Sequence, residues 1–163
     1  SLGISIDLSH MNKNTFWDSI KLLNSLKNDG YNVRVLASHS NSYSLCPNKR
    51  NLDDSQIKAI GELSGKIGLV SYGPFINEKE IDLEENYLNH IKYIENIIGI
   101  DNVMIATDNM DFSTDMFGVE EDISLLNHKN IIKDLTNILR NYYNSEEMDK
   151  IIKVNGERFI EER

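Results

Sequence analysis

Three residues that can bind a metal ion or transfer a proton each follow a short, largely apolar run. They are His10, His39 and Asp108, and the runs before them span residues 4–9, 33–38 and 103–107. Such runs predict buried strands, and the carboxyl ends of parallel strands gather at one face of an α/β protein. Imidazole nitrogen and carboxylate oxygen bind Zn²⁺, and a carboxylate also transfers protons. The pattern predicts a metal-centred site with His10 and His39 as ligands and Asp108 as the group that handles the proton.

Each of these residues also has a structural explanation. A single histidine after a strand is more often structural than a ligand, and Asp108 could cap a loop in an Asp-rich stretch. The equivalent positions of the two histidines on adjacent units are what favour a metal site. His90 and His128 lie on or beside predicted helices, and we expect structural roles for both.

Arg50 follows the strand of His39 in a polar loop. A guanidinium group near a metal centre could hold a substrate carboxylate through two parallel hydrogen bonds. The alternative is a solvated loop arginine. Arg50 is therefore a candidate substrate-binding residue.

The chain alternates between strand and helix patterns. Strands are predicted over residues 3–9, 33–38, 66–72 and 103–107, and helices over residues 14–28, 53–63, 84–98, 130–142 and 146–161. Positions 10, 39, 72 and 108, where the strands end, lie 29, 33 and 36 residues apart, which is the size of one βαβ repeat. Four repeats suit either an open doubly wound sheet or half of a (β/α)8 barrel, which takes about 250 residues when complete.

Composition excludes several classes of partner. The 163 residues carry a formal net charge of -9 at pH 7, which argues against nucleic acid because its phosphates require a basic face. No apolar stretch is long enough to span a bilayer, and we expect no membrane contact. Cys46 is the only cysteine, so we expect no internal disulfide and a reducing, cytoplasmic location.

Three motifs in this order resemble the membrane (renal) dipeptidase family. They are Ile6-Asp7-Leu8-Ser9-His10, Ala37-Ser38-His39-Ser40 and Arg50-Asn51-Leu52. The stretch 87–108 continues the resemblance, and Asn155 with Phe159 is similar to the closing helix of that family. The resemblance covers nearly the whole chain.

The resemblance implies a fold, a reaction and roles for four residues. The fold is a (β/α)8 barrel of the TIM type, and the reaction is zinc-dependent hydrolysis of dipeptides. His10 and His39 correspond to two histidines that bind one zinc of a binuclear pair. Arg50 corresponds to the arginine that holds the C-terminal carboxylate of the substrate, and Asp108 to the acidic residue that handles the proton.

The resemblance also implies that part of the site lies elsewhere. In the family a His-x-Asp pair, a bridging glutamate and a substrate-binding histidine precede the part that this chain resembles. We therefore predict that residues 1–163 form a single segment, the C-terminal half of a metallo-dependent hydrolase barrel with four β/α units and a terminal helix. Half a barrel leaves strand edges unpaired, so we expect an N-terminal half-barrel or a second copy as partner and little activity from this chain alone.

Two other hypotheses remain open at this stage. The family usually has Asp-Phe-Asp-Gly where this chain has Asp108-Asn109-Met110-Asp111. This departure and the missing ligands favour a non-catalytic or truncated barrel module that binds a partner or a small ligand. The other hypothesis is an open α/β binding domain of the flavodoxin kind.

Overall fold

The computed structural model describes residues 4–108 and 130–161 of the chain. The predicted beginning of the first strand at residue 3, most of the acidic loop 108–127 and His128 lie outside these ranges. Within them, no helix has both the length and the apolar composition that crossing a bilayer requires.

Four parallel strands form one sheet. They are β1 (Ile6–Asp7), β2 (Val35–Ala37), β3 (Lys66–Leu69) and β4 (Val103–Ile105), and their spatial order is β1-β2-β3-β4. All three strand pairs are parallel. An open doubly wound sheet reverses its strand order at a switch point, whereas barrel strands follow one another in sequence. The order found here therefore contradicts the flavodoxin alternative and confirms the barrel type of α/β fold.

Helices follow the strands, as the alternating pattern predicts. They are α1 (Lys13–Asn28), α2 (Asp54–Glu62), α3 (Gly73–Ile76), α4 (Leu83–Ile98), α5 (Ile131–Leu139), α6 (Ser145–Asp149) and α7 (Asn155–Glu161). The short α3 is absent from the sequence prediction, because four residues are too few to show a helical period. The predicted helix 146–161 is divided by a π-helical turn, Lys150–Val154.

Local capping residues determine where the main helices begin. Asn12 accepts hydrogen bonds from the backbone of Asn14 and Thr15 at the start of α1. Asp53 forms a capping box with Gln56 at the start of α2. Such caps satisfy backbone N–H groups that have no partner within the helix, and each contributes about 1 kcal/mol.

The core lies on one face of the sheet. Leu8, Val35, Ile67 and Val103 are at most 2% exposed, and they pack with the apolar faces of the helices. Alternate residues along a strand point to opposite faces. The second face is more open, because Asp7 is exposed and Leu36 and Met104 are only half-buried. This second face is called the open face below.

Candidate active site

His10 and His39 lie side by side at the ends of β1 and β2. The register of these parallel strands pairs Ile6 with Val35, so the chain leaves both strands at the same edge of the sheet. The ring centroids are 4.4 Å apart with 55° between the ring planes. The two Nε2 atoms are in direct contact. Both imidazoles therefore present the same nitrogen to one point.

Asp108 joins this pair from the end of β4. Its Oδ2 lies 3.8 Å from the Nε2 of His39. The backbone φ is 65° at His10 and 54° at Asp108, a left-handed conformation that costs a non-glycine residue about 1–2 kcal/mol. His10 lies three residues after the end of β1, and Asp108 lies three residues after the end of β4. Backbone strain of this kind is concentrated at functional sites.

Gly68 on β3 allows the neighbouring strands to approach each other. A Cβ atom at this position would lie 2.2 Å from the Ser38 carbonyl oxygen and 2.6 Å from the Ala106 Cβ. Ser38 and Ala106 belong to the segments that lead to His39 and Asp108. The absence of a side chain at Gly68 therefore allows His39 and Asp108 to lie close together.

Arg50 contacts His10 from the loop after β2. Its Nη1 lies against the Nδ1 of the His10 ring. The side chain also lines a cavity of about 700 Å³, together with Tyr43 and Lys49 of the same loop and Asn12 at the start of α1. A cation here, beside the two histidines, is in a position to attract a substrate anion.

Two buried asparagines hold the loop that carries Arg50. Asn41 donates to the carbonyl groups of Val70 and Phe75, and its Oδ1 accepts from the Val70 N–H at 3.2 Å. Asn51 donates to the Phe75 carbonyl at 2.8 Å and accepts from the Asn41 N–H at 3.2 Å. Sequence reasoning did not identify this network, because its partners lie far apart in the chain.

His90 is a buried residue of α4, and it supports the same loop. Its Nδ1 accepts from the Ser42 N–H at 3.1 Å, and its Nε2 donates to the Ile76 carbonyl at 2.9 Å. Burial lowers the pKa of His90 to about 4, although the hydrogen bond to Ile76 acts in the opposite direction. The neutral ring thus links the loop after β2 to α3, which agrees with the structural role expected for it.

Asp7 lies beside the candidate site, and the sequence analysis did not single it out. It lies on the open face, and its carboxylate accepts hydrogen bonds from the side chain and backbone of Ser38 and from the backbone of Ser9. Partial burial by itself raises the pKa of Asp7, but these hydrogen bonds outweigh it and the net pKa is lowered. The available signal was a carboxylate that interrupts an apolar strand three residues before His10.

The donor set fits two ligands of a zinc ion. The pKa of His10 is lowered, first by burial and then by the charges of His39 and Arg50, and the neutral imidazole is the form that binds a metal. Among residues 4–108 and 130–161, no group of three or more His, Cys, Asp or Glu side chains has the arrangement of a metal site. Within these residues, His10 and His39 offer two imidazole nitrogens at one point, and Asp108 lies beside them.

Sequence comparisons with known proteins identify relatives of this chain. An uncharacterized protein in the pqqA 5′ region of Klebsiella pneumoniae is 34% identical over 112 residues, which make up 66% of this chain and 38% of that protein. The dipeptidase tcpJ of Claviceps purpurea is 26% identical over 163 residues, or 99% of this chain and 35% of that protein.

The solved structures lead to the same group of proteins. A metallo peptidase from Rhodobacter sphaeroides, liganded with a phosphinate mimic of the dipeptide L-Ala-D-Ala, has a TM-score of 0.75 and 26% identity. The match covers 98% of this chain and 42% of that one. This chain therefore spans less than half the length of each of these relatives. The family model of the membrane dipeptidases (peptidase family M19) matches residues 1–163, and the chain belongs to this family of metallopeptidases.

Proposed function

We propose that this chain supplies part of the active site of a zinc-dependent dipeptidase. The observation that carries the proposal is the convergence of the His10 and His39 Nε2 atoms beside Arg50 and Asp108. The family match over the whole chain supports it. A dipeptide is the proposed substrate, in keeping with the phosphinate dipeptide mimic bound by the Rhodobacter relative.

His10 and His39 would hold one zinc ion of a pair. Zinc in such a site acts as a Lewis acid that polarises a carbonyl group and activates water. Arg50 would bind the free carboxylate of the substrate, because its guanidinium group offers two parallel N–H donors. Asp108 would hold a proton and deliver it to the departing amine.

The remaining zinc ligands and the substrate-binding histidine would come from an N-terminal half-barrel. We propose that residues 1–163 are the C-terminal half of a barrel whose other half is supplied by the same protein, by another chain or by a second copy. The open face of the sheet supports this proposal, because the interior of a complete barrel is packed with side chains.

The experiment measures bound zinc and the hydrolysis of dipeptides by the protein as its gene encodes it. The variant Arg50→Lys should raise the KM for dipeptides about tenfold, since a lysine cannot form the second parallel hydrogen bond. Dipeptide C-terminal amides should be poor substrates for both forms and should show little change. Metal content should stay unchanged in this variant and should fall in His39→Ala.

Lys49→Met is the matched control, because Lys49 is a neighbouring cation that lines the same cavity. An equal rise in KM in both variants would mean that the paired N–H donors of Arg50 have no specific role in binding the substrate carboxylate. A protein that binds no zinc and cleaves no dipeptide would contradict the proposed function. Such a result would favour the non-catalytic barrel module, which the absence of a three-residue metal group among the described residues keeps as the second candidate.

A further inference from the structure

We propose that Asp7 and Ser38 are positioning residues that keep the ring proton of His39 on Nδ1 and so direct the Nε2 lone pair into the site. The role of that lone pair as a zinc ligand rests on the proposed function. The position of the proton does not, because it follows from hydrogen bonds within the chain.

The carboxylate of Asp7 is held in one orientation by the backbone. Its Oδ1 accepts from the N–H groups of Ser9 and Ser38, each at 3.0 Å. Its Oδ2 accepts from the Ser38 hydroxyl at 2.6 Å. The carboxylate thus joins the ends of β1 and β2, and one oxygen always faces the hydroxyl group.

The Ser38 hydroxyl transmits this orientation to the imidazole. Its Oγ is 2.7 Å from the Nδ1 of His39. The hydroxyl group has one proton, and an ionised carboxylate can only accept. Ser38 therefore donates to Asp7 and must accept from His39, which places the ring proton on Nδ1 and leaves Nε2 as the lone pair.

The backbone of His39 is fixed by the same two strand ends. Its N–H donates to the Ser9 Oγ at 3.1 Å, and this oxygen is 3.3 Å from the Ser40 Oγ. The ring and its backbone are therefore both held by contacts between β1 and β2. Metal-binding histidines in general depend on such a partner at the other ring nitrogen, and its loss typically weakens metal binding 10–100-fold.

An asparagine at position 7 should reverse the direction of the hydrogen bonds that link position 7, Ser38 and His39. The two backbone N–H groups would hold its Oδ1 as they hold that of Asp7, so the amide NH₂ would face Ser38. Ser38 would then accept from the amide and donate to the Nδ1 of His39. The ring proton would move to Nε2, the nitrogen that faces His10.

The experiment compares Asp7→Asn with Ser38→Thr in the protein as its gene encodes it. The ring tautomer of His39 is read in the metal-free protein by long-range ¹H–¹⁵N NMR after ¹⁵N-histidine labelling, and Zn²⁺ affinity is measured by calorimetry. We expect Nδ1–H in the parent protein and in Ser38→Thr, which keeps the hydroxyl. We expect Nε2–H in Asp7→Asn, with Zn²⁺ affinity lowered 10–100-fold.

The variant Asp7→Ala separates positioning from simple structural support. It leaves the Ser38 hydroxyl free to turn, so His39 can keep either tautomer, and Zn²⁺ should bind more tightly than in Asp7→Asn. A structural role alone would make the smaller alanine the more damaging change. The proposal is overturned if Asp7→Asn retains Nδ1–H or binds Zn²⁺ as tightly as Asp7→Ala. If the parent protein binds no zinc, the proposed function fails and the tautomer measurement alone decides this inference.

Discussion

At the scale of single residues, His39 and His90 show two uses of a neutral imidazole. His90 has hydrogen-bond partners at both ring nitrogens, Ser42 and Ile76, and is completely buried. It has no lone pair left for a ligand. The Nδ1 of His39 contacts Ser38, and its Nε2 contacts His10, the other candidate ligand. The partners of the second nitrogen, rather than the residue type, distinguish a structural histidine from a candidate ligand.

His90 should make the protein less stable in mild acid. Its folded pKa is about 4, below the value of about 6.5 in an unfolded chain. The unfolded state therefore binds more protons between these values, and the free energy of unfolding falls as the pH falls from about 6.5 towards 4. From pH 7 to pH 5 this contribution should amount to about 2 kcal/mol.

Urea unfolding at both pH values checks the expected loss. The control is His90→Asn, which cannot titrate and should show a pH dependence smaller by that amount. Other ionisable groups, such as Asp53 with its lowered pKa, contribute equally to both proteins. Identical pH dependence in the two proteins would contradict the neutral, buried state of His90.

At the scale of elements, β3 acts as a spacer between the strands that carry the candidate ligands. It contributes no ligand of its own, and the predicted strand-end position 72 is a tyrosine that packs against Phe75. Its essential feature is Gly68, whose missing side chain accommodates Ser38 and Ala106. The fold can therefore place His39, which follows β2, within 4 Å of Asp108, which follows β4, although β3 lies between the two strands.

Gly68→Ala should destabilise the protein by about 1–3 kcal/mol, because the added methyl group would overlap the Ser38 carbonyl oxygen. It should also weaken Zn²⁺ binding, since Ser38 precedes His39. Gly156→Ala in α7 is the matched control, because nothing lies within 4 Å of its added Cβ. Alanine there should stabilise the helix by about 0.5–1 kcal/mol. Thermal unfolding and calorimetry test both variants, and equal effects would exclude the proposed spacing role of Gly68.

At the scale of the whole molecule, the two faces of the sheet differ. The helices pack against one face, which carries the buried Val35, Ile67 and Val103, whereas the open face carries the half-buried Leu36 and Met104 and the exposed Asp7. The candidate site lies at the carboxyl ends of the strands. We propose that the open face is where the other half of the barrel packs, which would also bury the Asp7–Ser38 hydrogen bonds and strengthen them.

Residues 1–163 produced alone should bind little zinc and show no dipeptidase activity. Adding the proposed N-terminal half-barrel should restore both, and Leu36→Lys should prevent this because it places a charge on the open face. Leu22→Lys is the control, since Leu22 is 61% exposed on α1. Activity of residues 1–163 alone, or restoration by the Leu36→Lys form, would refute the half-barrel proposal.

Much of the fold could be predicted because its signals are local. The apolar periods of α1 and α4 repeat within a few turns, and the loops between the repeats are short enough to leave the alternation visible. The strand prediction was less accurate at the boundaries, since β1 is paired only over Ile6–Asp7 where residues 3–9 were expected. Hydrogen bonding between two strands stops where the shorter strand stops, and the sequence of one strand does not reveal the length of its neighbour.

The amino-acid sequence alone determined the alternation of strands and helices and the identity of His10, His39, Arg50 and Asp108 as candidates, because each is marked by its immediate neighbours. Only the tertiary structure decided the strand order, the convergence of these four residues and the hydrogen-bond partners of Asp7. The hydrogen bonds of Asp7 to Ser38 join residues 31 positions apart. Contacts of that kind depend on which strands become neighbours, and this is determined by packing of the whole sheet.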